Sequence, residues 1–253
     1  MEPISYIIAV NNHKICRANA LASPDLHTNE TEIILRCDFP SASLAYNNAI
    51  DNAEHDLMVF IHQDVYLPQG WSERLQAIIS ELEQADTQWG VLGCFGVSLQ
   101  GDHVGHVYSN GLGRELGRPR DPVLVQALDE CVLVMRKSRG LRFDGTLPCF
   151  HLYGTDICLT ARKQGLTNLA ICNFCIHNSV SIGQLPSQYW QCAEFLRMKW
   201  NDELPVKTCC ITLPGSRIQL LVTRLMVMQR YFRRQQRIFK TARLLDPKLL
   251  YAQ

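Results

Sequence analysis

Short apolar runs, rich in β-branched residues and each stopped by polar ones, constrain this chain most. They are ISYIIAV (4–10), TEIILRC (31–37), LMVFI (57–61) and WGVLGCFGV (89–97). Each has the length and composition of a strand buried on both faces. The segments between them read as helices. Residues 41–55 can be capped by Ser41 or Ser43 and repeat Leu44, Ala45, Ala49 and Ala53 at helical spacing. Residues 71–86 place Leu75, Ile78, Ile79 and Leu82 on one face. Strand and helix alternating in this way predict an α/β fold of βαβ units, with a mostly parallel central sheet flanked by helices.

In such sheets ligands bind beyond the carboxyl ends of the strands. Asn11-Asn12, Asp38 and His62-Gln63-Asp64 each follow directly after a strand, so the three polar clusters are expected at one edge. The last is the most pointed: Leu57-Met58-Val59-Phe60-Ile61 ends abruptly in three side chains able to bind a metal or hydrogen-bond a ligand.

The second half is less regular. Residues 100–122, with five glycines and three arginines, read as a loop or irregular hairpin. A P-loop is excluded because no G-K-[ST] follows the glycines. Residues 128–138 return to strand and carry Asp129-Glu130; 143–156 are irregular; 156–166 read as a helix ended at Gly165; 167–181 form a last strand. From about Pro186 the chain reads as helical, which divides it into a catalytic-type domain, 1–185, and a helical C-terminal extension, 186–253.

Charge separates the same two parts. Residues 215–253 hold nine Lys/Arg and one acid, Asp246, leaving 16 basic and 23 acidic residues in the remainder. Arg230, Arg233, Arg234 and Arg237 share one helical face, with Met228, Tyr231, Phe232, Ile238 and Phe239 on the other. Such a helix either lies on an anionic membrane surface or packs its apolar face on the body. An acidic body without a recognition motif argues against nucleic acid. No apolar run reaches the length of a membrane span, and Met1-Glu2-Pro3 does not open a signal peptide. The eleven scattered cysteines therefore suit a reduced, cytoplasmic setting, with peripheral contact at the inner membrane face. Cys172-x2-Cys175-x-His177 has zinc-type ligands but lacks a second well-spaced pair.

Four ordered stretches carry a family likeness: SLAYNNAIDNAEHDLMVFIHQDVYLPQGW, LDECVLVMRK, FDGTLPCFHLYGTDICLTARKQGL and CIHNSVS. Together they resemble a family 2-like glycosyltransferase with the GT-A nucleotide-sugar fold, closest to the streptomycin-biosynthesis-type glycosyltransferase-like family. The resemblance implies inverting, metal-assisted transfer of a sugar from a nucleoside-diphosphate sugar to a hydroxyl acceptor, which is a glycan, lipid-linked or small molecule. It implies Asp64 as ligand to Mn2+ or Mg2+, Asp156 as general base, and His177 at the metal or diphosphate. It sets Asn11, Asp38 and Asn47, with His62 and Gln63, at the donor nucleotide. Asp129, Glu130, His151 and Tyr153 fall on the acceptor side. The sequence departs from the family's D-x-D at its first position, where His62 either binds metal, contacts a phosphate or sits beside Asp64. Two alternatives stay open: a non-catalytic nucleotide- or carbohydrate-binding protein on this fold, and a sugar-phosphate nucleotidyltransferase. The latter is disfavoured because no glycine-rich basic loop follows the first strand.

Overall fold

The computed structural model describes residues 2–28, 31–117, 122–179, 185–235 and 246–251. Strand β1 (Ile4–Val10) lies between β2 (Thr31–Cys37) and β3 (Leu57–His62), parallel to both. Helix α1 (His13–Ala18) leaves the end of β1, and α2 (Ala42–Asn52) joins β2 to β3. After β4 (Val65–Tyr66), α3 (Trp71–Gln84) leads to β5 (Trp89–Gly93). Strand β10 (Val132–Arg136) enters between β3 and β5, antiparallel to each. Helix α4 (Tyr153–Lys163) then returns the chain to β11 (Thr167–Ala170), parallel to β5. The expected parallel pairing thus holds on either side of the reversed β10.

The apolar runs need no polar residues because both faces are covered. Tyr6 and Ile8 of β1, Val59 and Ile61 of β3 and Val134 of β10 pack with Trp71, Leu75 and Ile79 of α3. Their neighbours Ile7, Met58, Phe60 and Leu133 point to the opposite side, against Tyr46 and Ile50 of α2 and Ile157 of α4. Full burial of each such side chain contributes roughly 1.5–3 kcal/mol.

Beyond β11 the sheet continues through β9 (Val123–Leu128), β6 (Phe95–Ser98), β7 (His103–Ser109) and β12 (Cys175–His177) to β4. Only Gln63 and Asp64 separate β3 from β4, yet these strands stand far apart in the sheet order. The sheet must therefore curl until its far edge returns to the end of β3.

Within the segment read as a loop or irregular hairpin, β7 and β8 (Arg114–Gly117) pair as an antiparallel hairpin. Its glycines permit a backbone approach: a Cβ on Gly117 would lie 1.8 Å from the Gly105 carbonyl oxygen. Arg118 and Arg120 lie outside the described residues.

The C-terminal region departs from the expected plan in two ways. Helix α5 (Ser187–Lys199) buries Tyr189, Cys192, Ala193 and Leu196 in the same core as α2 and α4, so residue 185 is no packing boundary. A ribbon, β13 (Val206–Lys207) with β14 (Thr212–Leu213), interrupts the helices. Helix α6 (Arg217–Gln235) and α7 (Pro247–Tyr251) follow. Among the described residues no helix is long and apolar enough to cross a membrane.

Candidate metal and nucleotide site

The antiparallel pairing of β12 with β4 sets His177 opposite Val65, and the Asn178 amide donates to the Asp64 carbonyl at 2.8 Å. His177 is thereby brought to a turn that lies far away in sequence. His62 Nδ1 stands 2.5 Å from Asp64 Oδ1, and His177 Nε2 stands 3.4 Å from the same oxygen. One ligand atom from each residue lies within 4.8 Å of the others; among the described residues this is the one such donor cluster. The side chains of His62 and His177 are 37% and 30% exposed and that of Asp64 is 16% exposed, so the cluster opens to solvent.

Two imidazoles share one carboxylate, and their electrostatics follow. Burial opposes charge on His62, but Asp64 overrides it and raises the imidazole to about 9. His177 is raised for the same reasons. Burial penalises the Asp64 carboxylate too, yet His62 and then His177 hold it far below the ordinary carboxylate range. Two nitrogens and one oxygen suit Mn2+ better than Mg2+, which prefers oxygen ligands. The cysteines are all free, and among the described residues they join no such cluster.

The supporting residues were not apparent from the sequence. Asn178 donates to Asn19 Oδ1 at 2.7 Å and accepts from Asn110 Nδ2 at 2.8 Å, tying β12 to the α1 and β7 regions. Gln63 accepts from the Asn11 and Asn12 amides at 3.1 and 2.9 Å and donates to Asn11 Oδ1 at 2.5 Å. Its amide is thus spent on holding the β1–α1 turn, a positioning role in place of the expected ligand contact. The register Val10↔Cys37 sets Asp38 beside Asn11, and both are exposed. Asp38 also has a positive φ of 61°, uncommon outside glycine and asparagine. The predicted convergence of the three polar clusters on one sheet edge is observed.

A cavity of about 530 Å³ adjoins His177. Asp129, Cys131, Arg114 on β8, and Cys209 and Cys210 at the tip of the β13–β14 ribbon line its walls. Asp129 Oδ1 accepts from the Cys131 amide at 3.0 Å. The next residue, Glu130, is held 3.4 Å from the Gly154 amide at the start of α4. A Cβ on Gly154 would lie 2.6 Å from the Leu128 carbonyl, so the glycine lets this acidic turn pass close to the helix. Burial, and then Asp129, lift Glu130 to about 8, and its field reaches His62. A second hollow, about 240 Å³, lies between Asp25, Thr28 and Thr31 and the start of α3 and contains none of the donor residues.

Other predicted positions are committed elsewhere. Asp156, expected as general base, is buried, with Lys199 Nζ 2.8 and 2.9 Å from its two oxygens and Trp200 Nε1 2.6 Å from one. Burial raises its pKa against those two partners, and both of its oxygens are engaged in joining α4 to the end of α5. Asn47, expected at the nucleotide, instead donates to the Phe143 carbonyl at 2.7 Å and accepts from the Phe143 amide at 3.0 Å. Tyr153, expected at the acceptor, packs edge-on to Tyr46 inside the core. His151 stays half-buried, its ring 5.8 Å from Tyr189, and burial followed by the nearby His62 lowers its pKa.

No protein-family profile matches the chain. A curated relative, "ATP synthase subunits region ORF 6" of Fuscovulum blasticum, is 34% identical over 130 residues, 48% of this chain. The match spans 50% of the length of that relative. Among solved structures, a mannosyltransferase from Pyrobaculum calidifontis in complex with GDP-Man and Mn2+ aligns with 99% of this chain and 79% of its own. Its TM-score is 0.55 at 12% identity. S. aureus TarS aligns with 94% of this chain and 44% of its own, at TM-score 0.51 and 12% identity. GalNAc-T7 with UDP, GalNAc and Mn2+ aligns with 78% of this chain and 47% of its own, at TM-score 0.51 and 10% identity. The chain has the mixed α/β fold of these GT-A structures, with a curled central sheet and flanking helices.

Proposed function

We propose that this chain is a glycosyltransferase of the family 2-like, inverting kind, moving a sugar from a nucleoside-diphosphate sugar to a hydroxyl acceptor. The observation that carries this reading is the His62–Asp64–His177 donor set at the carboxyl end of β3, beside a cavity lined by Asp129, His177 and Arg114. The nucleotide sugars and Mn2+ named for two of the similar folds support it.

Asp64 and His177, joined by His62, would hold a divalent cation that acts as Lewis acid on the departing diphosphate. Arg114 adds positive charge on the cavity wall for the same phosphates. Asn11 and Asp38, exposed on the adjoining edge, offer hydrogen-bond partners to the base and ribose. Glu130, supported by Asp129, takes the proton from the acceptor hydroxyl. Its elevated basicity suits a general base at neutral pH, and a single such carboxylate serves one in-line displacement with inversion. His151, kept neutral by burial, is a hydrogen-bond partner for an acceptor hydroxyl. Unpaired cysteines throughout support a reducing, cytoplasmic setting.

A second reading rests on one contact. The His62 imidazolium already neutralises Asp64, and metal binding must part them. A chain that keeps this pair closed would bind a nucleotide or carbohydrate without transferring sugar. Calorimetric titration of UDP, GDP and dTDP with Mn2+, Mg2+ or EDTA separates the two. Metal-dependent binding that Asp64→Ala abolishes is the result expected for the transferase. Metal-independent binding favours the second reading, and no binding by folded protein overturns both.

A further inference from the structure

We infer that α6 docks this protein on the surface of an anionic lipid bilayer. Helix α6 has two apolar faces, and the body covers only one. Leu220 is buried and Val227 packs on the main core, while Arg224 lies over the Trp190 ring. On the opposite side Ile218, Leu221, Val222, Leu225 and Phe232 recur at i, i+3, i+4, i+7 and i+14, a stripe broken only at Gln229. Ile218 is 74%, Leu225 65% and Phe232 57% exposed. The covered residues are the fewer, and water is left facing the larger side chains.

Charge decides the occupant. Arg217 and Arg224 fall on one flank of the stripe and Arg230 on the other, as helical spacing dictates. From Leu204 to Leu245 the sequence contains no acidic residue. Glu194, 3.5 Å from Arg217, is already paired with Arg197, so a second copy laid on this stripe would bring two such basic rows together with little acid to offset them. A bilayer with anionic headgroups offers acyl chains to the stripe and phosphates to the arginines at the same depth, because guanidinium groups on the flanks reach back to the interface. The helix lies in the plane of the surface, since none described here is suited to cross it. This docking uses none of the residues of the proposed transfer site and stands or falls separately from it.

Flotation of the full chain with phosphatidylcholine vesicles, with and without phosphatidylglycerol, tests the assignment. Anionic vesicles are expected to bind at least about tenfold more tightly than neutral ones, and salt should weaken the binding. Arg230→Gln should lower affinity about fivefold, the effect of one basic residue at such a surface. Ile218→Glu with Leu225→Glu should abolish it. Both positions are exposed, and an unchanged thermal transition certifies folding of the double variant. Equal binding to neutral vesicles, no binding by folded protein, or a dimer in solution that the double variant dissociates would each overturn the proposal.

Discussion

Lys199 Nζ, at the end of α5, lies within 2.9 Å of both carboxylate oxygens of Asp156, at the start of α4, and 2.8 Å from Asp144 Oδ2. The pair ties α5 to α4 and engages both oxygens of Asp156, the residue the sequence offers as base. Asp156→Ala should therefore destabilise the protein by about 3 kcal/mol in urea denaturation, because Lys199 and the Trp200 N–H lose a buried partner. Asp156→Asn, which keeps an acceptor for Trp200, should lose less stability and retain kcat/KM within about threefold. Glu130→Gln should lower kcat at least about a hundredfold, the usual contribution of a general base. The reverse ranking would return the base to Asp156.

Metal binding should depend on pH. In the metal-free protein His62 is raised to about 9, so its stabilising contribution is complete below its unfolded value of about 6.5 and is lost as pH climbs through 9. Asp64 is lowered, so its contribution is present above about 4 and disappears only in strong acid. A metal ion competes with the His62 proton. His177 is raised too, so Mn2+ affinity should rise by at least about tenfold per pH unit between about pH 6.5 and 9, with about one to two protons released, measurable by calorimetry in buffers of different ionisation enthalpy. An affinity independent of pH would show that His62 is not a ligand.

Glu130 reports on its own turn through stability. Its folded value of about 8 lies above the unfolded value of about 4.5, so the folded protein keeps a proton that the unfolded chain releases. Wild-type stability should fall as pH rises across that interval. In EDTA, Glu130→Gln should stay close to the wild type near pH 5 and melt roughly 10 °C higher near pH 8, at roughly 2–4 °C per kcal/mol for a chain of this size. A constant difference across pH would contradict the raised proton affinity of this carboxyl.

Asn47 should behave as a structural residue. Its side chain both donates to and accepts from the Phe143 backbone, and Asn47→Ala should cost about 1–2 kcal/mol through those two hydrogen bonds. Nucleotide affinity should stay within about twofold of the wild type. A selective loss of affinity without loss of stability would restore Asn47 to the donor site.

Much of the plan was legible because it depends on local pattern. Strand periodicity and the polar residues immediately after each strand determined an α/β sheet, its carboxyl edge, and the meeting there of Asn11, Asp38 and His62-Gln63-Asp64. Partner choice is not local. His177 reaches Asp64 only because the curled sheet pairs β12 with β4 in one register, and a one-residue slip would turn its side chain to the other face. Whether the acid of residue 130 or that of residue 156 faces the site depends on the path of the turn past Gly154 and on which side of α4 meets Lys199. Likewise, the sequence marks the C-terminal helix as basic and amphipathic, while only its packing on α5 decides which apolar face remains in water. Side-chain periodicity records which faces are apolar; register and packing, set by contacts between distant segments, decide what each face meets.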